Sequence, residues 1–598
     1  MNKKITILGI SCYYHDSSAA LLIDGEIKSA VQEERFSRKK NDSSFPANSI
    51  KYILKKNNLK ITEIDHIVFY EKPFLKFTRL LETYLAHAPR GYTSFKKAIP
   101  TWIKEKLFQK REIFNELKKF DNSFNGKILF SEHHISHAAS TFYPSPFEES
   151  LIITLDAVGE YTTSSIAVGK GNKIYFKKKI NYPHSLGMLY SAFTYYCGFK
   201  VNDGEYKLMG LAPFGEPKYY DKILNNIVDV YEDGSFALKM EYFDFSTGLK
   251  MINSKFERLF GKKTKKSNER FEEFHMDIAA SIQKVTETII LKICKFYQKK
   301  YNQKNLCLAG GVALNCVANG KILKSEIFKD IWIQPAAGDA GGSLGAAFTI
   351  WYDKLENIRK TKSGIDSMKG SFLGPSYSND EIKIDLDNIQ AKYEYLNDSD
   401  LNDKAAEILN NKELIGWFQG AMEYGPRALG NRSIIAHPGF MDMQQKINMQ
   451  IKFRESFRPF APAVLSEQTL NYFENNNQNS YMLIVSALKS NLIENQENLK
   501  NEKGFKKLDI KRSFLQAITH VDYSARVQSV RKEENLKFYN LINSFYKKTG
   551  IPMVINTSFN INNEPIVCTV KDAYKCFMVT DLDYLICGNY LLEKKKQF

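Results

Sequence analysis

Residues 131–140 read Ser131-Glu132-His133-His134-Ile135-Ser136-His137-Ala138-Ala139-Ser140 and hold three of the ten histidines of the chain. His133 and His137 stand four residues apart. On a helix, this spacing puts both imidazoles on one face, about 5–6 Å apart at Cβ. Two neutral imidazoles so placed can bind one borderline metal ion such as zinc or iron. The alternative interpretation is a polar helix start with solvated histidines.

Two aspartates follow segments that predict strands. The run Ser150-Leu151-Ile152-Ile153-Thr154-Leu155 is apolar and β-branched, which predicts a buried strand that ends at Asp156. A second strand, predicted at Ile331-Trp332-Ile333-Gln334-Pro335, precedes Asp339 and a glycine-rich helix start. Open α/β sheets bind ligands at the carboxyl ends of their strands. We therefore expect both carboxylates at sheet edges.

The start of the chain predicts a strand at 5–11, a polar turn, a second strand at 19–23 and a hairpin at Asp24-Gly25. The polar turn holds His15, Asp16 and Ser17. Exposed amides of such a turn suit phosphate binding. The same residues are also common turn formers without any ligand, and the sequence leaves both interpretations open.

A glycine pair predicts a nucleotide site. The predicted strand Leu306-Cys307-Leu308 ends in Ala309-Gly310-Gly311-Val312-Ala313-Leu314-Asn315. Glycines admit close approach of a ligand to the backbone, and a helix N-terminus favours phosphate. Gly310, Gly311 and Asn315 are therefore candidate nucleotide contacts. Lys207 is another candidate, because it lies in a glycine-punctuated loop where packing does not require a lysine.

Beyond the polar residues 352–372, which we interpret as a linker, cationic side chains stand beside glycine, proline and aromatic residues. These cations are Arg427, Arg432, Lys452, Arg454, Arg458 and Arg526. Guanidinium forks suit phosphate and carboxylate, whereas the alternative is a set of surface salt bridges. Asn556 and Ser558 lie where a predicted strand, Met553-Val554-Ile555, opens into a polar segment.

The bulk properties bound the class of protein. A chain of 598 residues is too long for one core and predicts two or more domains. Lys and Arg total 84 against 67 Asp and Glu, a net charge of +17. The charge is spread in short clusters, which favours anionic substrates over nucleic acid or a membrane surface. We interpret the basic, aromatic residues 74–122 as a helical insertion. Eight cysteines without a C-x-x-C pair indicate thiols in a reducing cytoplasm.

Six motifs carry a resemblance to a known family. They are His15-Asp16-Ser17-Ser18-Ala19-Ala20-Leu21, the pair His133 and His137, Tyr206-Lys207-Leu208-Met209-Gly210-Leu211-Ala212-Pro213, Gly310-Gly311-Val312-Ala313-Leu314-Asn315, Gly425-Pro426-Arg427-Ala428-Leu429-Gly430-Asn431-Arg432 and Phe457-Arg458-Pro459-Phe460-Ala461-Pro462. In this order they resemble the O-carbamoyltransferases of antibiotic and nodulation-factor biosynthesis. The resemblance runs from about residue 5 to residue 590.

The resemblance implies an α/β protein with two domains. Residues 1–360 would form an actin/Hsp70-like (ASKHA) carbamoyl-transfer domain, a duplicated RNase H-like fold. Residues 370–598 would form a YrdC-like α/β domain that makes carbamoyl adenylate. In the family, that domain joins carbamoyl phosphate and ATP, releasing phosphate and pyrophosphate. The first domain then transfers the carbamoyl group to a substrate hydroxyl, and AMP leaves.

The resemblance also implies ligand sets. A divalent metal, usually iron, would be held by His133, His137, Asp156 and Asp339, and magnesium would accompany ATP. The anion ligands of the second domain would be Arg427, Lys452, Arg458, Arg526 and Asn556, with Lys452 and Arg526 needed for catalysis. Lys40 would be a catalytic residue on the substrate side. One departure is Asn41, where the family often has histidine, so Lys40 is a weaker candidate than His15.

The chemistry needs a base to take the proton of the acceptor hydroxyl, and His15 is the best-placed neutral candidate. Its alternative role is that of a hydrogen-bonded turn histidine. The expected partners are carbamoyl phosphate, ATP and a hydroxyl-bearing small molecule such as a natural product or sugar. No nucleic acid or membrane is expected, and a homodimer is left open. The competing functions are an actin-fold small-molecule kinase and a tRNA-modifying, threonylcarbamoyl-type or RNA-binding protein. The sequence does not identify the acceptor.

Overall fold

The computed structural model describes residues 3–103, 108–474 and 479–597. Its contacts divide the chain into two compact units. The first unit comprises Met1–Glu33 and Ser43–Ser367, and the second comprises Glu34–Asp42 and Met368–Phe598. The sequence placed all of residues 1–360 in one domain, whereas the contacts group the short segment 34–42 with the second unit.

The β-strands of the described residues are numbered in chain order. They are β1 Thr6–Ser11, β2 Ser18–Ile23, β3 Glu26–Gln32, β4 His66–Phe69, β5 Ile128–Phe130, β6 Glu149–Leu155, β7 Thr162–Lys170, β8 Lys173–Asn181, β9 Val228–Val230, β10 Phe236–Leu238, β11 Asn305–Ala309, β12 Asp330–Ile333, β13 Glu394–Tyr395, β14 Ile415–Phe418, β15 Arg432–Ala436, β16 Ala461–Leu465, β17 Val485–Ala487, β18 Ser524–Arg526, β19 Gln528–Val530, β20 Met553–Ser558, β21 Tyr584–Cys587 and β22 Tyr590–Glu593.

The α-helices are numbered in the same way. They are α1 Glu34–Ser37, α2 Ala47–Lys56, α3 Pro73–His87, α4 Tyr92–Trp102, α5 Gln109–Lys118, α6 His133–Phe142, α7 Leu186–Tyr196, α8 Glu205–Leu211, α9 Tyr220–Asn226, α10 Ser254–Phe260, α11 Glu273–Tyr301, α12 Cys316–Lys324, α13 Ala340–Thr349, α14 Asn379–Asn388, α15 Asp398–Asn410, α16 Met443–Lys446, α17 Thr469–Tyr472, α18 Gln496–Asn501, α19 Leu536–Thr549 and α20 Val570–Val579.

The first unit contains two sheets with the same strand order. In the described residues, one sheet runs β3-β2-β1-β4-β5 and the other runs β8-β7-β6-β11-β12. In the first, β1 and β2 and then β2 and β3 are antiparallel, whereas β1, β4 and β5 are parallel. In the second, β6, β7, β8, β11 and β12 repeat these directions. The first unit is therefore a duplicated α/β arrangement of mixed sheets.

Two helices in equivalent places form the buried centre of the first unit. Helix α6 follows β5, and α13 follows β12. Every residue of α13 is buried, and only Ile135 of α6 is not. Glycine makes their close packing possible, because a Cβ at Gly345 would lie 1.8 Å from the carbonyl oxygen of Ser136. The small residues after His137 thus bring α6 against α13.

The described residues between β4 and β5 contain α3, α4 and α5, as the sequence predicted for residues 74–122, and residues 104–107 of that prediction lie outside the described residues. Residues 352–372, interpreted as a linker, are more firmly held than their composition suggests. Arg359 is 6% exposed and donates hydrogen bonds to the carbonyl oxygens of Tyr143, Phe147, Phe142 and Ser145. A single buried guanidinium therefore fixes part of this segment to the first unit.

The second unit is built on a mixed sheet. Within the described residues, its strands run β13-β22-β21-β14-β15-β20-β16-β19. Alternate residues feed two apolar clusters, one on each face: Ile434 belongs to one and Ile435 to the other. The segment 34–42 joins this unit through Arg35, which donates to the carbonyl oxygen of Gly425 at 2.7 Å, and through Arg38, which donates to that of Ile566 at 2.6 Å.

All eight cysteines are buried thiols, as expected. Among the described residues, no helix combines the length and the apolar character that crossing a membrane requires.

Candidate metal centre and anion-binding groups

Helix α6 presents two imidazoles side by side, because it begins at His133 and includes His137 one turn later. Their ring centroids are 4.6 Å apart and their Nε2 atoms 3.1 Å apart. Both side chains are buried. The four-residue spacing therefore places the two imidazoles on one face of a helix, as the sequence predicted.

The two aspartates come from the other sheet and meet these imidazoles. Asp156 follows β6, and its Oδ2 lies 2.9 Å from Nε2 of His133 and 3.8 Å from Nε2 of His137. Asp339 directly precedes α13, and its Oδ1 lies 3.7 Å and 3.6 Å from the same two nitrogen atoms. The donor atoms of these residues all lie within 4.8 Å of one another.

The donor set fits a single metal ion. Donors that share an ion at bond lengths of roughly 2.0–2.2 Å stand roughly 2.8–3.6 Å apart. The five separations that involve an imidazole, from 2.9 to 3.8 Å, lie close to this range, and all four donors lie within 4.8 Å of one another. Two nitrogen and two carboxylate donors suit iron or zinc. Four buried polar groups that converge in this way could hold one divalent cation.

A surrounding layer of polar groups orients the donors. The main-chain N–H of Gly311 donates to Oδ1 of Asp156 at 3.1 Å. The hydroxyl of Tyr70 donates to Oδ2 of Asp339 at 3.4 Å. The carboxylate of Glu160 accepts from the main-chain N–H of His133 at 3.0 Å, at the positive end of α6. The Nδ1 atoms of His133 and His137 have no hydrogen-bond partner among the described residues.

The electrostatics of the centre follow from this packing. Burial raises the pKa of Asp156, but hydrogen bonds with His133 and His137 hold it well below its usual range. Burial likewise raises the pKa of Asp339, and His15, His133 and His137 lower it to about 2. Burial lowers the pKa of His137, and the two carboxylates raise it to about 9. The centre therefore favours positive charge between its carboxylates, whether a proton or a metal ion supplies it.

His15 lies at the edge of this centre. Its Nδ1 is 2.9 Å from Oδ2 of Asp16, and its Nε2 is 3.7 Å from Oδ2 of Asp339. The side chain is 24% exposed, so a ligand can reach it. Burial lowers the pKa of His15, but Asp339 and Asp16 raise it to about 9. Asp16, predicted as a phosphate contact, thus serves to orient the imidazole.

The sequence predicted that the glycine pair leads directly into a helix, and the structure differs in this respect. Gly310 has φ +90° and lies against the backbone of Leu155, where a Cβ would be 2.2 Å from the carbonyl oxygen. A 3₁₀ turn, Gly311–Leu314, then separates the glycines from α12. Asn315 caps that helix, with its Oδ1 accepting from the main-chain N–H of Ala318. The glycine pair does not open a helix directly, so a nucleotide there would meet Gly311 and the turn.

The remaining predicted residues of the first hairpin and its neighbours are placed as follows. Ser17 is fully buried, and its hydroxyl has no hydrogen-bond partner among the described residues. Lys207 is half-buried on α8. Lys40 is half-buried and belongs to segment 34–42 of the second unit. Their roles in ligand binding stay predictions.

In the second unit, Lys452 is buried beside Ser558. Its Nζ donates to the carbonyl oxygen of Ser558 and to Oδ1 of Asn560 at 2.8 Å. Burial, followed by the nearby charges of Arg454 and Arg458, holds the pKa of Lys452 well below its usual range. Three cations thus lie in one region, and this concentration of positive charge favours an anionic ligand.

Arg432 has a different environment. It is fully buried, and its guanidinium donates to the carbonyl oxygens of Gln419 and Pro375 and lies 3.7 Å over the ring of Phe418. These contacts give it a structural role in the loop before β15. The sequence could not separate Arg432 from Arg427, because both lie beside structural glycines.

The other predicted groups of this unit are only partly exposed. Arg427 and Arg526 are half-buried. Arg454 donates from Nε to Oδ1 of Asn448 at 2.7 Å, and Arg458 lies 3.7 Å from Oε2 of Glu455. Asn556 is fully buried, and its Oδ1 has no hydrogen-bond partner among the described residues, although its Nδ2 donates to Oε1 of Gln528 at 2.7 Å.

Sequence reasoning missed the groups that hydrogen-bond to the candidate metal ligands and hold them in place. Tyr70, Glu160 and the main-chain N–H of Gly311 have no signature of their own, because each acts on a residue far away in the sequence. Glu423 was also missed, although its Oε1 accepts from the main-chain N–H groups of Leu429 and Asn431 and shapes the loop that carries Arg427.

Comparison with known proteins gives a consistent result. The model of the carbamoyltransferase N-terminus matches residues 6–348, and that of the carbamoyltransferase C-terminus matches residues 406–594. An uncharacterized protein of Synechocystis is 52% identical, covering 99% of this chain and 97% of its own. Nodulation protein NolNO of Sinorhizobium fredii is 35% identical over 98% of this chain and 79% of its own. The 3'-hydroxymethylcephem-O-carbamoyltransferase of Amycolatopsis lactamdurans is 27% identical over 62% and 61%.

Proposed function

The chain belongs to the carbamoyltransferase family, and from this premise we propose that it is an ATP-dependent O-carbamoyltransferase. The second unit would join carbamoyl phosphate and ATP into carbamoyl adenylate, with release of phosphate and pyrophosphate. The first unit would transfer the carbamoyl group to the hydroxyl of a small natural product or sugar, with release of AMP. The observation that carries the proposal is the convergence of His133, His137, Asp156 and Asp339 beside His15.

The fold assignment accompanies this function. We assign the first unit to the actin/Hsp70-like class, because its two sheets repeat one strand order and one set of strand directions. This duplicated arrangement places α6 and α13 in equivalent positions, where their N-termini can face a shared ligand. We assign the second unit, with its mixed sheet, to the YrdC-like class that the sequence motifs indicate.

A divalent cation held by His133, His137, Asp156 and Asp339, iron by the family resemblance, would stabilise negative charge on the departing phosphate. The protein's own groups do the rest. Gly311 and Tyr70 donate hydrogen bonds to the two carboxylates from outside the donor set and so orient them. Magnesium would accompany ATP in the second unit.

With the charge of Asp339 offset by a divalent cation, the pKa of His15 would fall from about 9 toward its ordinary value, and the neutral imidazole would then take the proton of the acceptor hydroxyl at its Nε2. Asp16 contacts Nδ1 and therefore holds the ring in one orientation. Nε2 is the ring nitrogen that does not contact Asp16, and it lies 3.7 Å from Oδ2 of Asp339. A hydroxyl placed at Nε2 would thus stand next to the centre where the carbamoyl donor is expected. Transfer forms the bond from the hydroxyl oxygen to the carbamoyl carbon and breaks the bond from that carbon to the phosphate oxygen.

In the second unit, Arg427, Lys452, Arg454, Arg458 and Arg526 would bind the anionic oxygens of carbamoyl phosphate and ATP, with Asn556 and Ser558 as neutral partners. The concentration of positive charge around Lys452 supports this role, and the orphaned, buried Oδ1 of Asn556 offers an acceptor for a ligand N–H such as that of a carbamoyl group. Arg432 is left out of this set, because main-chain carbonyl groups occupy its guanidinium. Lys452 also donates to Ser558 and Asn560, and it would bind an anion by exchanging one of these contacts.

The function is tested by supplying carbon-labelled carbamoyl phosphate and ATP with a panel of sugars, aminoglycosides and other polyols. We expect AMP and pyrophosphate in equal amounts and a labelled carbamate on the accepted hydroxyl compound. Formation of ADP instead would indicate phosphoryl transfer and a kinase. Salt-sensitive binding of RNA at functional strength would favour the tRNA-modifying alternative.

The assignment of adenylate formation to the second unit is tested with Arg526→Ala. We expect this variant to lose pyrophosphate release and to retain transfer when ready-made carbamoyl adenylate is supplied. Lys547→Ala, which removes an exposed cation of α19, is the matched control and should behave as the unchanged protein. An Arg526→Ala protein that makes the adenylate at the normal rate contradicts the assignment.

A further inference from the structure

Helix α3, the first helix after β4, buries two cationic side chains. Lys76 and Arg79 are each only 7% exposed. Lysine and arginine are almost never buried to this extent unless they are paired. One turn of the helix separates them, so that both lie on the same face. A helix of an insertion would not need two such residues merely to pack.

Lys76 is fully paired. Its Nζ donates to Oε2 of Glu71 at 2.7 Å and lies 4.8 Å from the centroid of the Tyr14 ring. Both contacts are favourable for an ammonium group in a region poor in water. The pair neutralises the charge of Lys76 and fixes its position beside Tyr14.

Arg79 is not paired in this way. Its guanidinium lies 4.9 Å from the centroid of the Tyr182 ring, but its Nε and Nη1 have no hydrogen-bond partner among the described residues. Glu160, a nearby carboxylate, is occupied by the main-chain N–H groups of Lys72 and His133. Two nitrogen atoms without a hydrogen-bond acceptor on one buried guanidinium destabilise the fold. Such a group is explained if a ligand supplies the acceptors.

The start of α3 is held next to the candidate metal centre. Oε1 of Glu160 accepts from the main-chain N–H of Lys72, at the N-cap of α3, and from that of His133, at the first position of α6. Arg79 therefore lies less than two helical turns from Lys72, whose main-chain N–H shares this carboxylate with that of His133. Burial lowers the pKa of Arg79, and the groups that raise it include Tyr14 and Glu160.

Tyr14 links Lys76 to His15. Its ring lies below the ammonium of Lys76 and 4.5 Å, centroid to centroid, from the imidazole of His15. Tyr14 remains 40% exposed, although both of its neighbours on this path are largely buried. An exposed aromatic ring between a buried cation and a candidate base is a suitable surface for the body of a polar ligand.

We propose that Arg79, with Lys76 and Tyr14 beside it, binds an anionic oxygen group, a carboxylate or a phosphate, of a substrate whose reacting part reaches His15. The inference rests on the proposed function. The anionic group has two sources: an acidic group of the acceptor, or the phosphate of the carbamoyl donor. In the first case, the acceptor is a hydroxy acid, a sugar acid or a sugar phosphate.

Binding is measured directly, by saturation-transfer NMR on the full-length protein. The probes are D-glucuronate, D-glucose 1-phosphate, D-glucose and AMP, each titrated to 20 mM, about the upper range for weak fragment binding. We expect at least one anionic probe to bind and neutral D-glucose to bind far more weakly. Competition among the probes separates the sources, because an acceptor site takes the sugar anions and a donor site takes AMP.

The variant Arg79→Gln should lower the affinity for the anionic probe by roughly 10- to 100-fold, the effect of losing a charge-assisted hydrogen bond. Arg79→Lys keeps the positive charge but lacks the planar guanidinium. Its affinity for the anionic probe should lie between those of the unchanged protein and Arg79→Gln. Arg90→Gln removes an exposed cation three residues beyond the end of the same helix and should have no effect. Melting temperature and bound metal are measured for each variant, so that a folding defect is recognised.

The proposal is overturned if no anionic probe binds by 20 mM, or if folded Arg79→Gln binds the probes as the unchanged protein does. Failure of the proposed function has a different signature. It would show as an absence of AMP and pyrophosphate from carbamoyl phosphate and ATP, whatever the probes do at Arg79.

Discussion

The two halves of the first unit share a scaffold but contribute different chemistry. Each half has a five-stranded mixed sheet within the described residues, with one strand order. In each, a turn follows the first strand, after β1 and after β6, and a buried helix follows the last strand, α6 and α13. These equivalent positions hold every member of the candidate centre.

The residues at the equivalent positions are not the same. The first half supplies His15 from its turn and His133 and His137 from its helix. The second half supplies Asp156 from its turn and Asp339 from the start of its helix. The repeated backbone brings together the turn and the buried helix of each half. The sequence of each half decides whether an imidazole or a carboxylate stands at these positions. The four-residue donor set of two imidazoles and two carboxylates requires both halves.

The largest expected effect comes from removing the donors of one half. His137→Ala should abolish bound metal and lower carbamoyl transfer by at least about 100-fold, because loss even of an outer-layer group costs 10- to 100-fold. Metal analysis of the purified variant gives the first readout and carbamate formation the second. Asp156→Asn should reproduce both effects from the other half.

His134→Asn is the matched control for this prediction. His134 is buried on the same helix, but its Nδ1 contacts Oγ1 of Thr154 at 2.6 Å instead of the donor set. Its variant should keep its metal, even if its melting temperature falls. Unchanged metal content in both His137→Ala and Asp156→Asn would show that the two halves do not share an ion.

An intermediate effect is expected where the halves pack together. Gly345→Ala would place a Cβ 1.8 Å from the carbonyl oxygen of Ser136, so that α13 must move away from α6. We expect a loss of stability of about 2–3 kcal/mol, typical of overpacking, with weaker metal binding because Asp339 moves with its helix. Thermal unfolding and metal titration measure the two effects.

Gly338→Ala serves as its control, since no atom of the described residues, apart from its two chain neighbours, lies within 4 Å of the added Cβ. It should change neither stability nor metal affinity appreciably. Equal behaviour of the two variants would mean that the tight α6–α13 contact does not set the geometry of the centre.

The smallest expected effect concerns a contact from one half to the helix of the other. Glu160 follows β6 and accepts from the first main-chain N–H of α6. Glu160→Gln keeps an acceptor but removes the charge at the positive end of the helix. We expect the free energy of unfolding, measured by chemical denaturation, to fall by about 0.5–1 kcal/mol. The control Glu232→Gln, a substitution at an exposed position, should not change it measurably. A loss larger than that of Gly345→Ala would mean that this contact, and not the packing of α6 on α13, holds the halves together.

The sequence by itself determined the local part of the site. The four-residue spacing of His133 and His137, the apolar run before Asp156 and the glycine-rich start after Asp339 each predicted an element that the structure contains. These signals are reliable because they depend on neighbours within one helical turn or one strand. The motifs also identified the carbamoyltransferase family, whose models match residues 6–348 and 406–594.

Only the tertiary structure decided which residues meet. The duplication of strand order, the support of Asp339 by Tyr70 and the burial of Arg79 on α3 have no local pattern. The same limit explains Arg432, which the sequence grouped with ligand-binding cations and the structure places among carbonyl groups. A charged residue in a sequence shows what it can bind; its partner depends on which distant segments pack around it, because burial and hydrogen-bond geometry are properties of the assembled fold.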